Sequence, residues 1–242
     1  MARPLAAGRR RCQAAPSHSQ HADIAMVQQV LSPAQRVKLD GSDDALFYAE
    51  PRFVQHLDAS FRSRLTALYR ERIPPCAVVL DLMSSWVSHL PEGLTYDEVI
   101  GHGLNARELE ANPRLDRHWV QNLNRDQVLP LADTSVDAVL IVAGWQYLQQ
   151  PEAIAAELLR VVRPAGQVIV AFSNRMFFQK APQIWTDGSD RDHLEYVAGV
   201  LAAQGWTMDA VIAEDTPAQG PLGWLGGKGD PFFAVIGRKA SP

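Results

Sequence analysis

The sequence predicts an α/β fold in three layers, a mostly parallel sheet between helices, with a helical extension ahead of it. Three observations predict it. Short apolar runs at Ala77–Asp81, Val136–Val142 and Gln167–Phe172 read as strands buried on both faces. Segments with helical spacing of apolar residues separate such runs. The stretch 136–172 is strand, helix, strand, and its crossover is long enough to make the two strands parallel.

Composition sets the bounds. The chain has 242 residues, enough for one α/β domain and a short leader. Hydrophobic residues are 47% and charged residues 21%, a globular balance rather than a disordered one. A net charge of −4 argues against a protein that works by neutralising phosphates, so no nucleic-acid partner is expected. Two cysteines, Cys12 and Cys76, make neither a disulfide framework nor a four-cysteine zinc site. No run of 18 apolar residues is present, so no membrane span is expected. Charge is uneven: residues 1–22 hold Arg3, Arg9, Arg10 and Arg11 and no acid, and the remainder stands at −8. This leader is similar to an organelle transit peptide, or it is a plain tail or a mis-assigned start. The expected location is cytoplasmic, or plastid if residues 1–22 are a transit peptide.

The elements follow in order. Residues 1–40 carry weak periodicity and read as a flexible extension. Residues 41–76 read as an N-terminal helical segment. Asp43 and Asp44 form an acidic cap pair, and from Pro51 onward Phe53, Val54, Leu57, Phe61, Leu65 and Leu68 recur at helical spacing until Pro74-Pro75. The α/β domain is read over 77–242. Its first strand, Ala77–Asp81, ends in an acid and leads into the loop Met83–His89. Glu98–Ile100 is a second strand, Ala106–Ala111 a helical turn and His118–Val120 a weak third strand. Val136–Val142 is the fourth. Pro151 opens a helix, with Glu152 in its first turn where an acid meets the positive helix end. Ile154, Leu158, Leu159 and Val162 make its apolar face, Arg160 and Arg163 its last turn, and Pro164-Ala165-Gly166 its end. Gln167–Phe172 is the fifth strand. A helix over Arg191–Gln204 precedes two late strands, Thr207–Ala213 and Phe232–Gly237. Seven strands in this alternation predict a doubly wound, Rossmann-like sheet.

The segment 126–172 resembles the class I S-adenosylmethionine-dependent methyltransferases, methyltransferase type 11-like. The shared residues are Leu129-Pro130, Asp133, Ser135 and Asp137 before the fourth strand, Pro151 opening the helix, and Arg160-Val161-Val162-Arg163-Pro164-Ala165-Gly166 before the fifth. FYAEPRFVQHLD together with DLMSSWVSHLP resembles a narrower, glycine-poor group of methyltransferase-like proteins found in photosynthetic organisms. The resemblance implies a ligand at the carboxyl ends of the parallel strands. It implies a glycine-rich turn after the first strand, an acid ending the second for the ribose hydroxyls, and a side chain after the third for the adenine amino group.

The sequence departs from that pattern at each place. Met83, Ser85 and Val87 stand where the three glycines are expected. A side chain there costs room and, at positive φ, about 1 kcal/mol or more, so the loop is expected to take another path. Ser84 and Ser85 offer hydroxyls to the cofactor carboxylate and Trp86 an aromatic wall; the alternative is that the serines cap a turn and the indole packs in the core. Gly103 stands where the ribose acid is expected. Asn105 offers one amide oxygen instead, which is weaker than a carboxylate. Asn122, followed by Leu123, takes the adenine position. Asp81 is kept and organises the loop backbone. With Ala143 after the fourth strand, the cofactor-binding set implied is Asp81, Met83, Ser84, Ser85, Asn105, Asn122, Leu123 and Ala143, and the cofactor S-adenosyl-L-methionine.

Methyl transfer from a sulfonium needs alignment above all, and a base only where the acceptor loses a proton. Tyr147 and His89 are candidate bases; Arg175 and Lys180 are candidates to hold an anionic acceptor. Trp145, Tyr147, Phe177, Phe178 and Trp185 suit an apolar or planar acceptor, or are core. No metal site is expected: His102 and His118 lack ligand company. GWLGGKGD at 223–230 lacks the P-loop spacing. The expected function is a methyltransferase acting on a small molecule. The alternative is a non-catalytic binding or assembly protein with a degenerate cofactor site. A nicotinamide-dependent oxidoreductase ranks last, since Met83–Val87 has no glycine fingerprint.

Overall fold

In the computed structural model, residues 27–218 and 228–241 are described. The arginine-bearing leader, 1–22, and residues 219–227 of the Gly- and Pro-rich link lie outside them. The chain order is α1 (Asp44–Phe47), α2 (Ala59–Arg72), β1 (Val78–Leu82), β2 (Glu98–Gly103), α3 (Ala106–Glu110) and β3 (Arg117–Val120). It continues with β4 (Val136–Val142), α4 (Pro151–Val161), β5 (Val162–Phe172), α5 (Gln183–Thr186), α6 (Asp190–Ala203), β6 (Thr207–Glu214) and β7 (Phe232–Arg238).

The strands form one seven-stranded sheet in the order β3-β2-β1-β4-β5-β7-β6. β3 through β5 pair in parallel; β7 is antiparallel to both β5 and β6. Side-chain alternation along each strand feeds two apolar layers. Leu80, Val139 and Val168 join Leu158 of α4 and Val197 of α6 on one face. Val79, Ala138 and Ile169 join Phe61 and Leu65 of α2 on the other. The sandwich therefore has three layers, as the alternation of strands and helices predicts.

Three expectations are corrected. The first helix does not begin near Pro51. α2 starts at Ala59, where the Asp58 carboxylate accepts from the Phe61 N–H at 2.8 Å. Leu57, Phe61, Leu65 and Leu68 are buried, but Phe53 and Val54, which share their spacing, are exposed on an irregular stretch. Asp43 caps the separate short helix α1. Arg163 does not lie in the last turn of α4: the helix ends at Val161 and Arg163 is in β5, paired with Asp137 at 2.6 Å. The strand pairing skips from Val136↔Val162 to Ala138↔Gln167, and the intervening Ala165 is left-handed at φ +62°. Finally, residues 27–40 are not a loose leader. Leu31 is buried in the core, and the Glu152 carboxylate accepts from the Val30 and Leu31 N–H groups and pairs with Arg36 at 2.8 Å.

Candidate functional site

The strand order reverses direction between β1 and β4, and there a crevice opens at the carboxyl ends of the strands. It holds a cavity of about 650 Å³. All eight residues of the expected cofactor set line it, as do Tyr147 and His89.

The β1 loop builds one wall. Asp81 is buried at the end of β1, and its Oδ2 accepts from the hydroxyls of Ser84 (2.7 Å) and Ser88 (2.5 Å). Burial pushes its carboxyl up to about 6, against the pull of Ser88 and Ser84. Met83 takes φ +58°. The expectation that the loop avoids the glycine conformation is therefore wrong at this position: methionine adopts it. Ala143, after β4, is also left-handed at φ +48°. Each of these two residues costs about 1–2 kcal/mol. The β4 loop accommodates them through Gly144, where a β-carbon would lie 2.9 Å from the Met83 Cβ. Among residues 83–97, between β1 and β2, no helix forms.

His102 on β2 holds that loop, a role the sequence did not reveal. Its Nδ1 accepts from the Met83 N–H at 3.2 Å, and its backbone oxygen accepts from the Ser84 N–H at 2.6 Å. Nε2 then carries the proton and donates to the Gln121 carbonyl at 2.9 Å. Burial depresses the ring to about 4, so it stays neutral. On the next strand position, Gly103 leaves room for the loop: a β-carbon there would lie 2.5 Å from the Ser84 carbonyl oxygen.

The two asparagines are engaged within the fold. The Asn105 Oδ1 accepts from the Glu108 N–H, capping α3, while its Nδ2 donates to the carbonyls of Tyr48 (2.9 Å) and Ala49 (3.0 Å). The Asn122 Oδ1 accepts from the Asn124 N–H and its Nδ2 donates to Asp43 at 2.9 Å. These bonds tie the ends of β2 and β3 to Asp43, Tyr48 and Ala49, in a strap of residues 43–56 along the cavity. Leu123 is buried beside them.

The strap supplies site residues that the sequence reading missed. Tyr48, Arg52 and His56 line the cavity. Arg52 lies 4.3 Å from the Phe47 ring centroid and 5.2 Å from that of Phe177. Asp44 is buried and pairs with Lys38 at 2.8 Å, and Lys180 reaches Asp40 at 3.0 Å. The signal available was FYAEPRF itself, too polar at alternate places for the helix it was read as. Glu108 was also missed; it lines the cavity and is buried.

The expected acceptor-side residues divide. The Tyr147 hydroxyl accepts from the Phe177 N–H at 2.9 Å, and burial pushes it up to about 12. His89 lines the cavity, and burial holds its ring down to about 4. Arg175 and Lys180 line the cavity but are committed: Arg175 to Asp230 at 2.6 Å, Lys180 to the Ser42 carbonyl and hydroxyl at 3.0 Å. Phe177 and Phe178 line the cavity, whereas Trp145 and Trp185 are fully buried core. Trp86 is no cavity wall; its indole donates to the Val54 carbonyl and meets the Phe53 ring. Among the described residues no cluster of three or more His, Cys, Asp or Glu is placed to hold a metal, and no helix is long and apolar enough to cross a membrane.

A family model described as a methyltransferase domain matches residues 92–170. A demethylmenaquinone methyltransferase of Renibacterium salmoninarum is 46% identical over 50 residues, 20% of this chain and 21% of that one, so the match spans about a fifth of the relative. A Listeria monocytogenes structure assigned to the S-adenosylmethionine-dependent methyltransferases superposes with TM-score 0.55 at 12% identity, over 76% of this chain and 100% of that one. The cyclase SpnF superposes with TM-score 0.53 at 16% identity, over 74% of this chain and 81% of that one. The Rossmann-like fold of these methyltransferases is thus the fold of this chain; that a cyclase shares it is a reason to argue the activity from the site.

Proposed function

We propose that the chain is an S-adenosylmethionine-dependent methyltransferase that transfers a methyl group to a small-molecule acceptor. The observation that carries this reading is the crevice at the β1/β4 switch point, lined by every residue of the implied cofactor set. Its volume of about 650 Å³ falls in the range of small-molecule sites. The match of residues 92–170 to a methyltransferase domain supports it.

The residues present fit the cofactor. When bound, it supplies an electrophilic methyl group on a sulfonium. Ser84 and Ser85 take its amino-acid end, Asn122 and Leu123 its adenine end, and the left-handed Met83 and Ala143 set the backbone between them. Asp81 fixes the loop through Ser84 and Ser88. The chain's own contribution is alignment and the exclusion of water by the strap. His89 lines the cavity and is the candidate base where an acceptor must lose a proton, although burial weakens its basicity. The rings of Tyr48, Tyr147 and Phe177 favour an apolar, planar acceptor. Demethylmenaquinone, in the name of the Renibacterium relative, has that character. The segments FYAEPRFVQHLD and DLMSSWVSHLP support placement in the glycine-poor group of photosynthetic organisms.

A second reading, a binding or assembly protein without catalysis, is favoured by one observation: the Ser84 carbonyl fills the place of a side chain on Gly103. Incubation with methyl-labelled cofactor and a quinol or phenol panel separates the two. Label in a small product supports transfer; cofactor binding with no product from any acceptor supports the second reading.

A further inference from the structure

Three carboxylates line the cavity, and they are not equivalent. Asp44 pairs with Lys38. Asp81 accepts two serine hydroxyls. Glu108, 8% exposed, has no cationic side chain as partner among the described residues. One of its oxygens accepts from the Arg52 N–H at 2.6 Å. Oε2 has no partner among the described residues. This oxygen is not sealed in the core, so a ligand in the cavity can supply its donors.

Its position says which donors. Ligand crevices of this kind run across the carboxyl ends of neighbouring strands, here β1, β2 and β3. Ser84 and Ser85 stand after β1, and Asn122 and Leu123 after β3. Between them, just past β2, stands Glu108 on α3, held by the Asn105 cap. Gly103 cannot supply a carboxylate, because the Ser84 carbonyl occupies that space. A vicinal diol presents two hydroxyl donors, which suits a carboxylate rather than an amide.

We infer that Glu108 binds the ribose diol of the nucleoside cofactor, replacing an acid at Gly103. The inference rests on the cofactor reading above. Titration calorimetry of the full chain tests it, with S-adenosylhomocysteine and with its 2′,3′-dideoxyribose analogue. Glu108→Gln keeps an oxygen for the Arg52 amide and removes the charge. The variant is expected to bind S-adenosylhomocysteine about tenfold more weakly or worse, and the dideoxy analogue as tightly as the parent protein does. Unchanged affinity for S-adenosylhomocysteine, or an equal loss for both ligands, overturns the role of Glu108. A parent protein that binds neither ligand overturns the cofactor reading itself, and the inference with it.

Discussion

The Ser84 carbonyl oxygen lies 2.5 Å from the point that a β-carbon on Gly103 would occupy. Two departures from the methyltransferase pattern, a glycine-poor loop after β1 and no acid at the end of β2, are thereby one structural fact. The loop is drawn onto β2 by His102 and fills the space that an acidic side chain would need. Restoring the acid does not restore a site. Gly103→Ala and Gly103→Asp are each expected to destabilise the chain by about 1–3 kcal/mol through overpacking against backbone, measured by urea unfolding. A neutral Gly103→Ala would show that the loop yields easily.

Met83 carries a left-handed backbone in a place where the resemblance implies glycine. If conformation rather than packing dominates there, Met83→Asn retains more stability than Met83→Val, since asparagine tolerates this region and a β-branched residue does not. A difference of about 1 kcal/mol is expected by chemical denaturation. The reverse order would mean that the packing of Met83 against the apolar core decides.

Asp81 gives a pH signature. Its folded-state carboxyl is raised by burial to about 6, from an ordinary 3.8. The folded state therefore holds the proton more tightly than the unfolded state, and stability falls as pH rises through the window from about 4 to 6. The penalty above that window is on the order of 3 kcal/mol. Asp81→Asn keeps an acceptor for both serine hydroxyls. It is expected to raise the melting temperature at pH 8 and to leave it unchanged at pH 3.5. An equal change at both values would remove the titration as its cause.

Glu152 joins residues 27–40 to α4. It is 1% exposed, accepts from two backbone N–H groups and pairs with Arg36. Glu152→Ala strands those donors and the guanidinium, and should cost about 2–4 kcal/mol. Limited proteolysis should then cut within 27–40 before it cuts the sheet. Uniform resistance would show that the segment is held by Leu31 alone.

Tyr147→Phe separates wall from base. The hydroxyl accepts from the Phe177 N–H, and burial pushes it to about 12. The substitution should lower turnover by no more than about tenfold and leave its pH profile in place. A loss of about a thousandfold would restore Tyr147 as a proton acceptor.

The sheet was legible because its central strands β1, β4 and β5 are largely buried, and because Pro151 and the end of α6 fall where the sequence puts them. The wall of the cavity was legible because strand ends fix which residues meet there. What was hidden is nonlocal. Phe53 and Val54 share the spacing of α2 but serve the strap, and nothing within a single helical window distinguishes the two uses. His102 reads as a lone strand histidine until the β1 loop is beside it. Glu108 reads as a surface helix acid, since its neighbour Arg52 lies 56 residues earlier. The left-handed Met83 runs against local preference, which is where tertiary context overrides it.

Titration calorimetry of S-adenosylhomocysteine into the unmodified chain tests the cofactor assignment most directly. One site with a dissociation constant in the micromolar range, about −8 kcal/mol, is predicted. No heat at millimolar ligand would contradict it.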